Sequence, residues 1–318
     1  MFLGIEIGGT KLQLGLGKGD GKILALWRGM VNPDAGGEGI RRQIVTAFPE
    51  LLASVNMDRS QLRGIGVGFG GPTDDETQTV IKSHQIAGWD GFPLADWLFD
   101  LLNLHAVICN DADVAGLAEA AFGAGKGLSP IFYITVGSGI GGGFIINGEI
   151  YRGQGKGAAE IGHLKVKKHL SEPTSPLVTI EDLASGWGIA NATEWLHRSR
   201  EDLSAFRQHT PTGPFTAHAV AAAARAGDWN AQMILHHAID ALSQAICHVI
   251  ALLCPKRIVI GGGVSMMGDD LFFDPLRRYV AENVFAPFAG LTDIVPAALG
   301  EEVVLHGALA LARQKFGE

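Results

Sequence analysis

One pattern occurs twice in this chain: FLGIEIGGTKLQLGLGKGDGKIL at residues 2–24 and IFYITVGSGIGGGFIINGEIY at residues 131–151. Each copy contains an apolar strand, a glycine-rich hairpin turn, a second strand, another turn and the start of a third strand. Glycine turns let backbone N–H groups approach an anion closely. Two such hairpins that face each other across a cleft would bind a polyphosphate, so the repeat predicts nucleotide chemistry.

Composition narrows the class of protein. Hydrophobic residues make up 47% of the 318 residues, enough for roughly two domains with large cores. The net charge of −8 argues against a nucleic-acid partner, which would require a basic face. Three sparse cysteines, Cys109, Cys247 and Cys254, indicate reduced thiols and a cytoplasmic location. The most apolar long segment, Ala238–Cys254, contains polar residues and is typical of a buried helix, so no membrane partner is expected.

Strands alternate with helices along the chain, which predicts an α/β protein with mixed sheets. The first half contains strands at Leu3–Ile7, Lys11–Leu16, Lys22–Arg28, Leu62–Gly68 and His105–Cys109, and helices at Gly39–Ser54, Phe92–Leu102 and after Asn110. The same order starts again at Ile131. We expect an N-terminal lobe of residues 1–122, joined by a C-terminal helix of residues 303–318, and a larger lobe of residues 123–302.

Two glycine spacings imitate a dinucleotide-binding motif. Gly66, Gly68 and Gly71 fit GxGxxG, and so do Gly137, Gly139 and Gly142. That motif needs a helix directly after it to meet the pyrophosphate. The first match runs into Pro72 and acidic residues, and the second runs into a strand, so both argue against a Rossmann fold. The chain also lacks the GxxxxGK[ST] sequence of a P-loop NTPase.

Seven motifs, in this order, resemble those of the ROK family of sugar kinases over nearly the whole chain. They are GIEIGGTK from Gly4, GGP from Gly70, GW at Gly88, NDAD from Asn110, TVGSGIGGG from Thr135, EIGH from Glu160 and IVIGGGVS from Ile258. The resemblance implies the actin-like ATPase fold, a duplicated ribonuclease H-like fold with two lobes and a central cleft. It also implies ATP, Mg²⁺ and a sugar as ligands, and a homodimer.

The phosphate-binding residues follow from that resemblance. Gly8, Gly9 and Thr10 would cradle the phosphates, Lys11 would add a cation, and Glu6 would hold a magnesium-bound water. On local sequence alone, the hairpin could be only a tight turn with a solvated Lys11. The second hairpin would contribute Thr135, Gly137, Ser138 and Gly139. Gly261, Gly262 and Gly263 would let the backbone approach adenosine, or would simply form the turn between a strand and a helix.

Asp111 is the candidate general base. It lies where an apolar strand meets a helix, and a helix N-terminus stabilises an ionised carboxylate. The alternative is that Asn110 or Asp111 only caps the helix, and Asp113 is expected to be solvated. The resemblance implies that the sugar contacts Gly71, Gln85, Asn110, Asp111, Glu160, His163 and Glu181.

The chain departs from the family at two places that bear on the sugar. Many ROK kinases bind zinc through the EIGH histidine and three cysteines, but residues 167–186 contain no cysteine and Thr179 stands in place of the last one. Zinc prefers nitrogen and sulfur ligands, and His163, His169 and Glu172 are a poor substitute. We therefore predict no zinc, with packing around Pro173 and Pro176 supporting His163. Gln85 stands where the family has an asparagine.

The leading hypothesis is an ATP-dependent hexose kinase that phosphorylates the hydroxyl at carbon 6. Glucokinase is the first expectation, and fructokinase and N-acetylhexosamine or N-acetylmannosamine kinases are the alternatives. A sugar-responsive regulator of the same family would need a helix-turn-helix before the first motif, which starts at Gly4. An inactive sugar-binding protein is disfavoured by Lys11, Asp111 and Glu160.

Overall fold

The computed structural model describes residues 1–83, 85–168, 174–199, 208 and 215–317. Strands are β1 Phe2–Ile7, β2 Lys11–Gly17, β3 Ile23–Met30, β4 Ile65–Phe69, β5 Thr73–Asp74, β6 Thr79–Val80, β7 Ala106–Asn110, β8 Ile131–Val136, β9 Ile140–Ile146, β10 Glu149–Ile150, β11 Lys165–Lys167, β12 Leu177–Thr179, β13 Arg257–Gly261 and β14 Asp293–Pro296. Helices are α1 Gly36–Ser54, α2 Leu94–Leu102, α3 Asp111–Ala121, α4 Ile180–Ala184, α5 Gly186–Ser199, α6 Ala217–Arg225, α7 Trp229–Leu253, α8 Asp274–Asn283 and α9 Val303–Phe316.

The two repeated stretches form the same kind of sheet. The first five-stranded sheet has the order β3-β2-β1-β4-β7, and the second has the order β10-β9-β8-β13-β14. In the first sheet, β1 pairs antiparallel with β2 and parallel with β4, and β4 pairs parallel with β7. In the second sheet, β9 pairs antiparallel with β10 and β13 pairs parallel with β14, so the repeated stretches have the same strand order.

The chain divides into two compact units. The first contains residues 1–133, 143–159 and 297–318, and the second contains residues 134–142 and 160–296. These bounds differ from the predicted lobes mainly because residues 123–133 and 143–159 lie in the first unit. Ile131 and Ile145 pack there with Leu117 of α3 and Ala310 of α9 in one buried apolar cluster.

The glycines of β4 explain one of the misleading GxGxxG spacings. A Cβ atom on Gly66 would lie 1.9 Å from the backbone oxygen of Ala308. Gly66 therefore lets α9 approach the sheet closely, which is a packing role. The segment that imitates a nucleotide motif is part of the core of the first unit.

Helix α7 is the long apolar segment noted in the sequence. It is the one helix among the described residues that is long and apolar enough to cross a membrane. Of its most apolar stretch of 18 residues, 61% is buried inside the protein. That burial agrees with a core helix. Its start is fixed by Asp228, whose side chain accepts a hydrogen bond from the N–H of Ala231 at 2.7 Å.

Candidate active site

The first hairpin, residues 8–10, follows directly from β1, all of whose residues are buried. The N–H of Gly8 donates to the carbonyl of Lys11 at 3.1 Å, and the N–H of Val31 donates to the carbonyl of Thr10 at 3.0 Å. The turn is thus fixed by backbone hydrogen bonds at both ends, while Thr10 itself remains exposed. A rigid, solvent-facing glycine turn suits the recognition of an anion.

A buried carboxylate supports this hairpin. Glu6 is 5% exposed, and its Oε1 lies 3.1 Å from Nζ of Lys11. Its Oε2 accepts a hydrogen bond from Gln13 at 2.9 Å. Burial raises the pKa of Glu6 to about 7, against the opposing effect of Lys11. Lys11 also donates to the carbonyl of Glu301 at 2.9 Å, so the lysine is an ordered cation beside the turn.

Strand register brings three predicted elements to one edge of the first sheet. Ile7 pairs with Phe69, and Phe69 pairs with Asn110. The residues that follow these strand ends are therefore neighbours. A Cβ atom on Gly70 would lie 3.5 Å from Oδ2 of Asp111 and 3.6 Å from Cα of Gly8. The carboxyl ends of parallel strands are the usual ligand-binding edge of an α/β sheet.

Asn110 and Asp111 divide two tasks at the start of α3. Asn110 is the cap, since its Oδ1 accepts a hydrogen bond from the N–H of Ala112 at 2.9 Å. Its Nδ2 donates to the carbonyl of Gly71 at 3.2 Å, which ties the GGP loop to the helix. Asp111 is the first helical residue. Because Asn110 provides the cap, the capping alternative does not account for Asp111.

Gln85 lies against the first hairpin. A Cβ atom on Gly9 would sit 1.6 Å from Oε1 of Gln85, so this glycine makes room for the glutamine. Trp89 anchors the same loop: it is fully buried, and its ring centroid lies 5.3 Å from that of Phe69. The preceding His84 lies outside the described residues.

The expectation for Asp113 was wrong. This side chain is 1% exposed, and its Oδ2 accepts a hydrogen bond from Nη1 of Arg152 at 3.0 Å. It lies two residues after Asp111, roughly 200° around the helix, so the two carboxylates point in different directions. Arg152 provides the cation that makes burial of Asp113 tolerable.

The carboxylate of Glu181 lies against the second hairpin, residues 137–139. The N–H of Gly137 donates to the carbonyl of Gly139 at 2.9 Å, and the carbonyl of Gly137 accepts from Gly186 at 2.7 Å. Oε2 of Glu181 accepts the N–H of Ile140 at 2.7 Å. Glu181 therefore braces the turn, whereas the resemblance assigns it to the sugar.

The EIGH segment forms a single 3₁₀ turn in the second unit. The N–H of His163 donates to the carbonyl of Glu160 at 3.1 Å, and both side chains are exposed. A Cβ atom on Gly162 would lie 2.2 Å from the carbonyl oxygen of Ile140. The turn is thus packed against β9, which directly follows the second hairpin.

The glycine run after β13 meets a steric need at one position. Gly262 has a φ of 89°, and a Cβ atom on it would lie 2.5 Å from the carbonyl oxygen of Val136. The N–H of Val264 donates to that same carbonyl at 2.9 Å. At Gly263, by contrast, a Cβ atom would meet nothing within 4 Å.

A hydrogen-bonded hairpin and a helix cap occupy the region of the family's zinc site. Strand β11 pairs antiparallel with β12, and Thr179 caps α4 with Asp182 in a reciprocal capping box. Pro176 contributes its carbonyl, which accepts the N–H of Lys168 at 2.9 Å. His169, Glu172 and Pro173 lie outside the described residues.

Zinc does not fit the residues that are described. Among them, no group of three or more His, Cys, Asp or Glu side chains could hold a metal ion. The donor set that structural zinc prefers is therefore not assembled in that part of the chain. The absence of zinc stays a prediction, to be checked by metal analysis of the purified protein.

The predicted site residues divide between the two units. The first unit holds Glu6, Gly8, Gly9, Thr10, Lys11, Gly71, Gln85, Asn110 and Asp111. The second holds Thr135, Gly137, Ser138, Gly139, Glu160, His163, Glu181, Gly261, Gly262 and Gly263. Three supporting residues, Gln13, Arg152 and Glu301, were missed. Of these, only Gln13 had a local signal, its place two residues after Lys11 on the same strand.

The ROK family model matches residues 2–315. The chain belongs to the ROK family. ROK kinases have the actin-like ATPase fold, so the predicted family and fold class are confirmed. Two relatives named glucokinase cover 99% of this chain. The glucokinase from Halalkalibacterium halodurans is 33% identical, and the match spans 95% of its length. The glucokinase from Thermotoga maritima is 30% identical, and the match spans 98% of its length.

A solved structure supports the same assignment. The ROK glucokinase from Streptomyces griseus, in complex with glucose and AMPPNP, is 30% identical to this ROK protein with a TM-score of 0.78. The match covers 98% of this chain and 99% of that one. The ROK hexokinase from Thermus thermophilus, 24% identical with a TM-score of 0.79, shares the fold over 99% of this chain and 98% of its own.

Proposed function

We propose that this ROK protein is an ATP-dependent hexose kinase. Glucose is the sugar we expect as its substrate, and the hydroxyl at carbon 6 is the acceptor. The observation that carries the proposal is the meeting of Gly8, Gly70 and Asp111 at the carboxyl edge of the first sheet. Full-length relatives at 33% and 30% identity are named glucokinase, which supports the choice of glucose.

The mechanism assigns one task to each element of the first unit. Asp111 accepts the proton of the attacking hydroxyl, and the start of α3 keeps its carboxylate ionised by the helix dipole. The hairpin of residues 8–10 orients the phosphates through backbone N–H groups, and Lys11 supplies a positive charge beside them. Gly71, Gln85 and Asn110 orient the sugar.

The second unit contributes neutral donors and the sugar clamp. Thr135, Gly137, Ser138 and Gly139 meet the phosphates, while Gly261, Gly262 and Gly263 allow close approach of adenosine. Glu160, His163 and Glu181 bind sugar hydroxyls, since hydroxyls buried without partners cost free energy.

Magnesium fits the carboxylate of Glu6. Hard cations take oxygen ligands and keep several waters, and Glu6 lies beside the hairpin with its two carboxyl oxygens in contact with Lys11 and Gln13. Glu6 would hold a magnesium-bound water rather than the ion itself. When bound with ATP, the ion spreads the charge of the phosphates.

ADP release with a panel of sugars tests the proposal. We expect release with glucose that depends on ATP and magnesium, and a product phosphorylated at carbon 6 by ³¹P NMR. Preference for fructose or N-acetylmannosamine would identify that sugar as the substrate in place of glucose. Both are open because relatives named putative fructokinase and N-acetylmannosamine kinase also match and Gln85 alters the sugar loop. If the protein binds a sugar but releases no ADP with any sugar of the panel, it would instead be a sugar-binding protein.

A homodimer and a cytoplasmic location are part of the proposal. The homodimer rests on the resemblance to the family, and the location rests on three free cysteines, Cys109, Cys247 and Cys254. Light scattering at several protein concentrations distinguishes a dimer from a monomer of 33.6 kDa.

A further inference from the structure

A partly buried arginine joins three segments of the first unit. Arg152 follows β10 and has a side chain that is 13% exposed. Its Nε donates to Oδ2 of Asp75 at 2.8 Å, and its Nη1 donates to Oδ2 of Asp113 at 3.0 Å. Nη2 reaches Oγ1 of Thr73 at 3.3 Å and also pairs with the second oxygen of Asp75. The guanidinium is therefore used on all three of its nitrogens.

Two partners of Arg152 lie two residues from a residue of the proposed sugar site. Thr73 begins β5, two residues after Gly71. Asp113 is in the first turn of α3, two residues after Asp111. The N–H of Asp75, which directly follows β5, donates to the carbonyl of Gly155 at 2.8 Å. A backbone hydrogen bond therefore also joins the segment after Arg152 to the turn between β5 and β6.

These contacts close a ring with the hydrogen bond from Asn110 to the carbonyl of Gly71. The ring runs from the GGP loop through Arg152 to the first turn of α3 and back through Asn110. A neutral side chain at 152 would leave two carboxylates close together with no cation between them, and the buried one at Asp113 would be driven to reorient. The first turn of α3 would have to move with it.

The rest of α3 is held independently of this ring. A Cβ atom on Gly307 of α9 would lie 1.9 Å from the carbonyl oxygen of Val114, which shows how tightly the two helices pack. Loss of Arg152 is therefore expected to displace the turn that carries Asp111, while the helix stays in place.

We propose that Arg152 is a positioning residue for phosphoryl transfer, which sets the orientation of the Asp111 carboxylate through Asp113 and that of the GGP loop through Asp75 and Thr73. The proposal rests on the kinase function proposed above. Its kinetic signature is a loss of kcat with little change in the KM for ATP, because the phosphate hairpin is not part of the ring.

The test compares Arg152→Met and Arg152→Lys with the wild-type protein. We expect kcat to fall about 100-fold in Arg152→Met, because a misplacement of about 1 Å can cost that much. Arg152→Lys keeps the positive charge but loses the planar guanidinium that contacts several partners at once, so its kcat should lie between those of Arg152→Met and wild type. The KM for ATP should stay within about twofold of wild type. Titration with AMPPNP by calorimetry counts competent molecules, so that kcat refers to folded protein.

A double-mutant cycle with Asp111→Asn separates positioning from general stability. If Arg152 acts through Asp111, then the loss in kcat from Arg152→Met should shrink from about 100-fold to about tenfold or less in the Asp111→Asn background, where only the effect exerted through the GGP loop remains. A purely structural role would give the same 100-fold loss in both backgrounds, and that result would overturn the proposal. Arg257→Met is the matched control, since it removes another arginine paired with an aspartate, Asp293.

Milder variants keep the test decisive if Arg152→Met does not fold. Asp75→Asn and Thr73→Val each remove one arm of the ring, and Asp75 is already 30% exposed. We expect losses in kcat of about tenfold and a few-fold, respectively. Unchanged kcat in both folded variants would overturn the proposal. A wild-type protein without activity on any sugar would instead refute the kinase function.

Discussion

The two glycine hairpins share a topology and differ in charge. Residues 5–11 read IEIGGTK and residues 134–140 read ITVGSGI, so Thr135 stands in place of Glu6 and Ile140 in place of Lys11. Each hairpin joins the central strand of a five-stranded sheet to its antiparallel neighbour. The first therefore has an ion pair beside the turn, and the second has a hydroxyl and an apolar side chain.

This difference shows that duplication of the fold did not duplicate the chemistry. The strand end that carries Asn110 and Asp111 in the first sheet corresponds to the end of β14 in the second, where Pro296 is the last strand residue and Ala297 and Ala298 follow. The proposed proton acceptor, Asp111, and the proposed phosphate-binding cation, Lys11, are thus both in the first unit. The second unit offers neutral donors, with Glu181 bound to its own hairpin.

Removal of the carboxylate at Asp111 should have the largest effect. We expect Asp111→Asn to fold, to bind sugar and to lose about 10²–10⁴-fold in kcat, the usual contribution of a general base. Steady-state kinetics with glucose and ATP give the value. Asp20→Asn, which changes an exposed carboxylate of the same unit, should keep wild-type kcat. Near wild-type turnover in Asp111→Asn would remove the main chemical distinction between the two units.

The charge of Glu6 should make stability depend on pH. The unfolded side chain titrates near 4.5 and the folded one near 7 because of burial, so the folded protein binds the extra proton in this window. Wild-type stability should therefore fall as pH rises from about 4.5 to 7, by at most about 3 kcal/mol from this group.

Urea unfolding of wild type and Glu6→Gln at several pH values measures this contribution, because the variant lacks the titrating group. The difference in unfolding free energy, wild type minus variant, should decline across the window. Glu38→Gln, at an exposed helical position, controls for the other carboxylates. A difference that rises with pH would mean that pairing with Lys11 outweighs burial.

Lys11 should matter for the use of ATP. We expect Lys11→Met to lower kcat/KM for ATP about 10–100-fold, because a hydrogen bond to a charged group contributes about 1.5–3 kcal/mol. Lys18→Met, at an exposed turn after β2, should leave it unchanged. If both variants behave alike, Lys11 is only the partner of Glu6, and the first hairpin is no more specialised than the second.

Much of the frame was predictable because its signals are local. The strands around both hairpins, the junction at Asn110 and the return to a second repeat all follow from short apolar runs and glycine turns. Residues joined over long distances were not predictable. Arg152 and Asp113 are 39 residues apart, and Lys11 and Glu301 are 290 apart, so only the strand order brings them together.

The error at Asp113 has the same cause. Asp113 was expected to be solvated, and the sequence near it contains no cation that would suggest otherwise. The fold places Arg152 against it, and burial becomes possible. The function of Glu181 was assigned by resemblance, and here too the tertiary contact, to Ile140, was invisible in the sequence.

Substitutions at the glycines after β13 should have the smallest effects, and they test whether these residues of the second unit serve the turn or the nucleotide. Gly262→Ala should lower the unfolding free energy by about 2 kcal/mol, because its φ of 89° and the carbonyl of Val136 both oppose a side chain. Gly263→Ala, which meets no neighbour within 4 Å, should leave stability nearly unchanged. Urea unfolding and the KM for ATP are measured on both. A raised KM in the stable Gly263→Ala variant would show that this glycine makes room for the nucleotide, and an unchanged KM would reduce the run to a turn between a strand and the segment that follows.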